Sequence, residues 1–105
     1  MTNVQTAETI MQQLGGNKFR VMTGAKEIYA IENGVQFKIG RNESGANRVV
    51  ITLNGMDTYD MKFQKVSMSR KTYETTVKDK AESLGNYNDM LAGEFEKITG
   101  LYTSL

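Results

Sequence analysis

A chain of 105 residues, 39% apolar and 24% charged, has room for one hydrophobic core, and its composition lies far from that of disordered segments. It contains neither cysteine nor histidine, which excludes a disulfide framework and a thiolate metal site and removes the usual general base near neutral pH together with the commonest metal ligand. The formal net charge is only +1, yet residues 18–71 hold ten Lys and Arg against five acids while residues 72–105 hold three against six, a division that predicts one basic and one acidic face.

In chain order, Thr6 to Leu14 reads as a short helix, with Thr6 as cap and Ile10, Met11 and Leu14 at helical spacing. Gly15-Gly16-Asn17 supplies the stop. A strand is expected next, in which Phe19, Val21 and Thr23 alternate with Lys18, Arg20 and Met22. Glu27 to Glu32 forms a weaker strand with Ile28, Tyr29 and Ile31. Asn33-Gly34 is a two-residue hairpin signal, followed by Val35, Phe37 and Ile39 alternating with Gln36 and Lys38. Residues 40–47 form a polar, glycine-bearing loop expected to be mobile. Val49, Ile51 and Leu53, then Asn54-Gly55, then Tyr59, Met61 and Phe63 make a second hairpin with consistent period-two register.

Residues 67–86 carry no single pattern. Tyr73, Thr75 and Val77 alternate like an edge strand, and Lys78 to Leu84 fits a helical turn. Tyr87, Met90, Leu91, Phe95 and Ile98 then trace an apolar helical stripe, with Asn86 or Asn88 as cap and Gly100 as stop. The tail from Leu101 to Leu105 is apolar enough to dock on the body. The expected architecture is a single α+β domain spanning residues 1–105. An antiparallel meander of four to five strands carries N-terminal and C-terminal helices on one face. The core face holds Phe19, Val21, Val35, Phe37, Ile39, Val49, Ile51, Leu53, Tyr59, Met61 and Phe63. No apolar run approaches the roughly 18 residues that span a bilayer and no basic-then-apolar leader precedes the first helix, so no membrane partner is expected.

Alternation places Arg20, Gln36, Lys38, Arg48, Thr52, Lys62 and Gln64 opposite the core, with Asp60 the lone acid among them. Cations gathered on one sheet face can neutralise phosphates and would make binding salt-dependent; lysine and arginine are equally the ordinary covering of a solvated sheet. The strand aromatics share parity with the core, so the face offers no platform for stacking bases. Lys18 and Lys26 follow the glycine turns at Gly15-Gly16 and Gly24, where exposed amides and an ammonium can hold an anion, although neither turn has the spacing of a nucleotide-binding loop. Asp57 and Asp60, three apart on a strand, point to opposite faces and cannot share a substrate. Ser67, Ser69 and Thr72 have no histidine to activate them. The expectation is therefore a non-enzymatic binding protein without metal or cofactor. Its candidate nucleic-acid contacts are Lys18, Arg20, Lys26, Lys38, Arg48 and Lys62.

The blocks Leu14-Gly15-Gly16-Asn17-Lys18-Phe19, Met22-Thr23-Gly24-Ala25-Lys26, Ile51-Thr52-Leu53-Asn54 with Asp57-Thr58-Tyr59, and Thr99 to Leu105 resemble a group of small proteins encoded by bacteriophages, prophages and mobile elements. The similarity runs from about residue 9 to the C-terminus and is poorest over residues 67–86. It implies a bacterial cytoplasm as workplace and two kinds of role: handling nucleic acid, or binding and blocking a host protein such as a defence factor. Seven methionines suit either gap-filling in a small core or an adaptable protein-binding patch. An unprotected strand near Tyr73–Val77 would also permit homo-oligomers.

Overall fold

A computed structural model describes residues 2–103. The N-terminal helix α1 spans Asn3–Leu14 and starts earlier than the spacing predicts. Thr2 and Gln5 form a reciprocal capping box, the Thr2 hydroxyl accepting from the Gln5 amide at 3.1 Å while the Gln5 side chain accepts from the Thr2 amide at 3.0 Å, which satisfies two otherwise unpaired donors. Thr6, the expected cap, is instead buried within the helix beside Ala7 and Ile10.

Gly15 ends α1 as expected, but Gly16–Thr23 then form a second helix, α2, and not a strand. The reason lies in which side chains need burial. Phe19 and Thr23, one helical turn apart, are buried, and the Thr23 hydroxyl donates to the Phe19 carbonyl at 2.6 Å. Val21, placed on the core side by strand alternation, is 82% exposed. Gly24 closes the helix in the left-handed conformation.

Five strands follow: β1 Lys26–Ile31, β2 Gly34–Lys38, β3 Arg48–Leu53, β4 Tyr59–Met68 and β5 Thr75–Asn86. They pair antiparallel in the order β1-β2-β3-β4-β5, a simple meander. The first hairpin falls one residue earlier than Asn33-Gly34 suggests: Ile31 faces Gly34, so Glu32 and Asn33 make the loop, with Asn33 at φ 58°. Gly34 is required for a different reason. A Cβ there would strike the Ile51 carbonyl oxygen and stand 2.9 Å from the Thr52 Cα. The β3–β4 connection is a five-residue turn built around Asn54, whose side-chain oxygen accepts from the Met56 amide at 2.8 Å and whose nitrogen donates to Thr58 at 2.7 Å; Asp57 adopts φ 60° there.

A single turn at Asn88–Met90 leads into the C-terminal helix α3, Leu91–Thr99, closed by left-handed Gly100. Neither Asn86 nor Asn88 caps it by a side chain; Asn86 is buried and donates to Ser83 and Tyr59. The helices pack on one side of the sheet. All four phenylalanines of the chain meet between the layers: Phe19 of α2 lies edge-on to Phe37 of β2 (centroids 5.5 Å apart) and to Phe95 of α3 (4.9 Å), and Phe95 reaches Phe63 of β4 (6.0 Å). Val35, Val49, Ile51, Met61, Ile10 and Leu91 are also fully buried. Ile39 and Tyr59 join the core as expected, with Leu53 at its margin. The tail docks through Leu101, packed against the core, and through buried Thr103, whose hydroxyl donates to the Glu96 carboxylate at 2.8 Å; Ser104 and Leu105 lie outside the described residues.

Candidate nucleic-acid interface

Strand register brings four of the six expected cations to the outer sheet face. Lys26 faces Lys38, Lys38 faces Arg48, and Lys62 lies one row away, opposite Val50. Lys18 and Arg20 do not join them. Because residues 16–23 are helical, both sit on α2, in the layer on the other side of the sheet, where they border an open groove with α1 and β1. The expected surface therefore loses a third of its charge.

Of what remains, one cation is ion-paired and another is hydrogen-bonded. The Lys38 ammonium stands 2.6 Å from the Glu27 carboxylate, the one salt bridge among the described residues. The hydrogen bond from Lys38, reinforced by its charge, holds the Glu27 carboxyl below its ordinary value, and the same contact raises the Lys38 ammonium. Glu27 can reach across because it occupies a bulge in β1, with φ 52°. Arg48 directs Nε and Nη2 at Gln64 Oε1, at 3.0 and 2.6 Å, and Gln64 donates in turn to Asp79 at 3.0 Å. Lys62 faces Glu82 across the β4–β5 ladder. The outer face is thus a mixed, internally matched polar surface. Asp60, also on this face, accepts from Asn54 and from the Gly85 amide at 3.1 and 3.0 Å, so it fastens a turn to a second β-bulge.

A different cationic element emerges where the sequence carries no clear pattern. The β4–β5 hairpin runs on past the body of the sheet: β4 continues to Met68 and β5 begins at Thr75. Residues 78–84, read from sequence as a helical turn, belong to β5; the strand character of Thr75–Val77 is as expected. Every residue from Ser67 to Lys80 is exposed. The resulting two-stranded arm, with Lys65 and Lys80 at its root, carries Lys65, Arg70, Lys71, Lys78 and Lys80 against Glu74 and Asp79.

In the arm, Lys65 is the direct cross-strand partner of Lys78, followed outward by Val66 with Val77, Ser67 with Thr76, and Met68 with Thr75. Alternation from buried Phe63 puts the Lys65–Lys78 pair on the helix side of the sheet. Two further cations gather at this root. Arg41 and Lys65 line a shallow pocket of about 380 Å³ with Asn42 and Asn47, and Lys80, left unopposed by the bulge between Phe63 and Gln64, lies over Gly45, its Cε 3.9 Å from where a Cβ would be.

The root is fixed by Asn47, whose side chain acts as one more step of the ladder: Nδ2 donates to the Val66 carbonyl and Oδ1 accepts from the Val66 amide, both at 2.8 Å. The loop at 40–47 is itself cross-braced, with Asn42 donating to the Gly40 and Ala46 carbonyls at 2.8 and 2.7 Å, and the Glu43 amide donating to the Thr99 carbonyl at 3.0 Å. At the tip, Tyr73 donates through its amide to the Ser69 carbonyl at 2.8 Å, and Ser69 accepts in its hydroxyl from Lys71 and Thr72. Arg70, Lys71 and a 75% exposed Tyr73 stand there in solvent.

No protein-family model, curated protein or solved structure matches the chain at a significant level. Among the described residues, no group of three acidic side chains is placed to hold a metal ion, and no helix is long and apolar enough to cross a membrane.

Proposed function

We propose that this chain is a non-enzymatic nucleic-acid-binding protein whose contact surface is the β4–β5 arm and its root. The observation that carries the reading is the Lys65–Lys78 pair. Like charges directly opposite on a ladder are destabilising, and this pair sits on a ribbon with no core beneath it and, among the described residues, no acid in salt-bridge contact. A polyanion would relieve that repulsion, and Arg41, Lys80, Arg70 and Lys71 extend the same positive potential from root to tip. The outer-face cations Lys26, Lys38, Arg48 and Lys62 fit a supporting role, since Lys38 is ion-paired with Glu27, Arg48 is bonded to Gln64 and Lys62 faces an acid across the ladder. Work in the cytoplasm of a bacterial host accords with the resemblance to phage and mobile-element proteins.

The test is binding to labelled nucleic acid across a salt series. The Lys65→Gln/Lys78→Gln variant is expected to bind more weakly and with a shallower dependence of log K on log salt, by roughly 0.9 for each phosphate of B-form DNA that it no longer neutralises. Unchanged affinity and slope would contradict the assignment. A second reading, a module that binds a host protein, is favoured by the apolar patch on α2, where Val21 is 82% exposed beside Met22. It predicts that Val21→Glu abolishes capture of a stoichiometric protein partner while leaving nucleic-acid affinity intact.

A further inference from the structure

We infer that the ligand of the arm is duplex DNA in B form, entered at the major groove. This rests on the nucleic-acid reading above and narrows it. Three features of the arm argue for a duplex over a single strand, and for DNA over RNA.

The first is shape. Two antiparallel strands, with neither face covered, make a ribbon that the roughly 12 Å major groove of B-DNA admits, whereas the roughly 6 Å minor groove is narrow for it. The major groove of duplex RNA is deep and too narrow for side chains to read. The second is the absence of stacking groups. Binding to single strands relies on successive aromatic side chains along a cationic groove, and the arm has one aromatic, Tyr73, at its tip. Its paired strands instead offer Ser67 opposite Thr76, hydroxyls able to bond base edges and phosphates.

The third is the distribution of charge. The cations form two groups, Lys65 and Lys78 with Arg41 and Lys80 at the root, and Arg70 with Lys71 at the tip. Lys65 lies three residues before the end of β4 at Met68, roughly 10 Å along the strand, and Arg70 and Lys71 stand in the turn beyond it, a separation on the scale of the groove. The root group then meets phosphates of one strand, the tip group those of the other, and the hydroxyl-bearing segment lies between, over the bases.

The experiment measures affinity of the full chain, at matched length and salt, for duplex DNA, the same DNA single strand, and duplex RNA. Competition with a major-groove ligand (methyl green) and a minor-groove ligand (netropsin) is measured alongside. Duplex DNA should be bound at least about tenfold tighter than the other two, since only there do both cation groups reach phosphates. Methyl green should compete and netropsin should not. Lys65→Gln/Lys78→Gln and Arg70→Gln/Lys71→Gln should each reduce the salt slope by about two. An unchanged circular dichroism spectrum verifies that each variant folds. Equal or tighter binding to single strands or duplex RNA, or competition by netropsin alone, overturns the groove assignment and leaves the nucleic-acid reading standing. No binding to any of the three at low salt overturns both.

Discussion

The two halves of β4 differ in almost everything except their hydrogen bonding. From Tyr59 to Gln64 the strand alternates between core and surface, with Tyr59, Met61 and Phe63 buried. From Lys65 to Met68 it is paired to β5 by the same antiparallel ladder, yet only Val66 is even partly covered. A ladder bond exchanged for water contributes only about 0.5–1.5 kcal/mol, and an isolated two-stranded hairpin is at best marginally stable in water. The inner half is therefore held by burial, and the outer half by its attachment to the inner one and by the Asn47 clamp. That outer segment, with no core beneath it and two lysines face to face, is the one proposed to bind nucleic acid.

The contrast can be broken from either side. The largest effect is expected in the body: Phe95→Ala removes the ring that links Phe19 to Phe63 and should lower the unfolding free energy by about 3–5 kcal/mol, read from urea denaturation. Asn47→Ala cuts both bonds to Val66 and should cost about 1–3 kcal/mol. It should also raise amide exchange in the arm more than in β3. Replacing residues 67–76 by a two-residue turn, which keeps Val66 and its bonds to Asn47, should change global stability by less than about 1 kcal/mol, because surface changes away from the core lie near that scale. In the intact chain, amides from Ser67 to Val77 should exchange orders of magnitude faster than those of Val49 and Ile51.

The smallest effect concerns the matched outer face. Glu27 titrates low in the folded chain because Lys38 stabilises its carboxylate, so this contribution is present above the unfolded carboxyl value and fades as pH falls through the folded one. Lys38 titrates high, so its share is present below the ordinary lysine value and is lost as pH rises through the folded one. Lys38→Ala should return the Glu27 carboxyl towards its ordinary value in an NMR titration while barely moving the unfolding midpoint, since exposed ion pairs are worth little.

The sequence is legible where burial writes itself as period. Val35, Phe37 and Ile39, and Tyr59, Met61 and Phe63, alternate with polar neighbours because one face of their strands is covered, and the meander with its flanking helices follows from them. Gly16–Thr23 misleads because eight residues hold too few turns to separate the two periods: Phe19, Val21 and Thr23 alternate, but only Phe19 and Thr23, four apart, are buried. Over residues 67–80 no side chain is buried, so the alternation of Tyr73, Thr75 and Val77 marks a strand without a core face, and nothing in local spacing sets the arm's cations apart. For the outer sheet face, alternation assigns Lys38, Arg48 and Lys62 to the right side, but their partners Glu27, Gln64, Asp79 and Glu82 come from neighbouring strands, and strand pairing is not written in local spacing.

The most direct test compares the intact chain with the arm-shortened chain in binding duplex DNA across a salt series, with their unfolding midpoints measured in parallel. Steep, salt-sensitive binding by the intact chain, weakened and made less salt-sensitive by shortening while the midpoint stays in place, is the predicted result. Equal affinity and equal salt slope for the two chains would contradict the assignment of the arm as the binding surface.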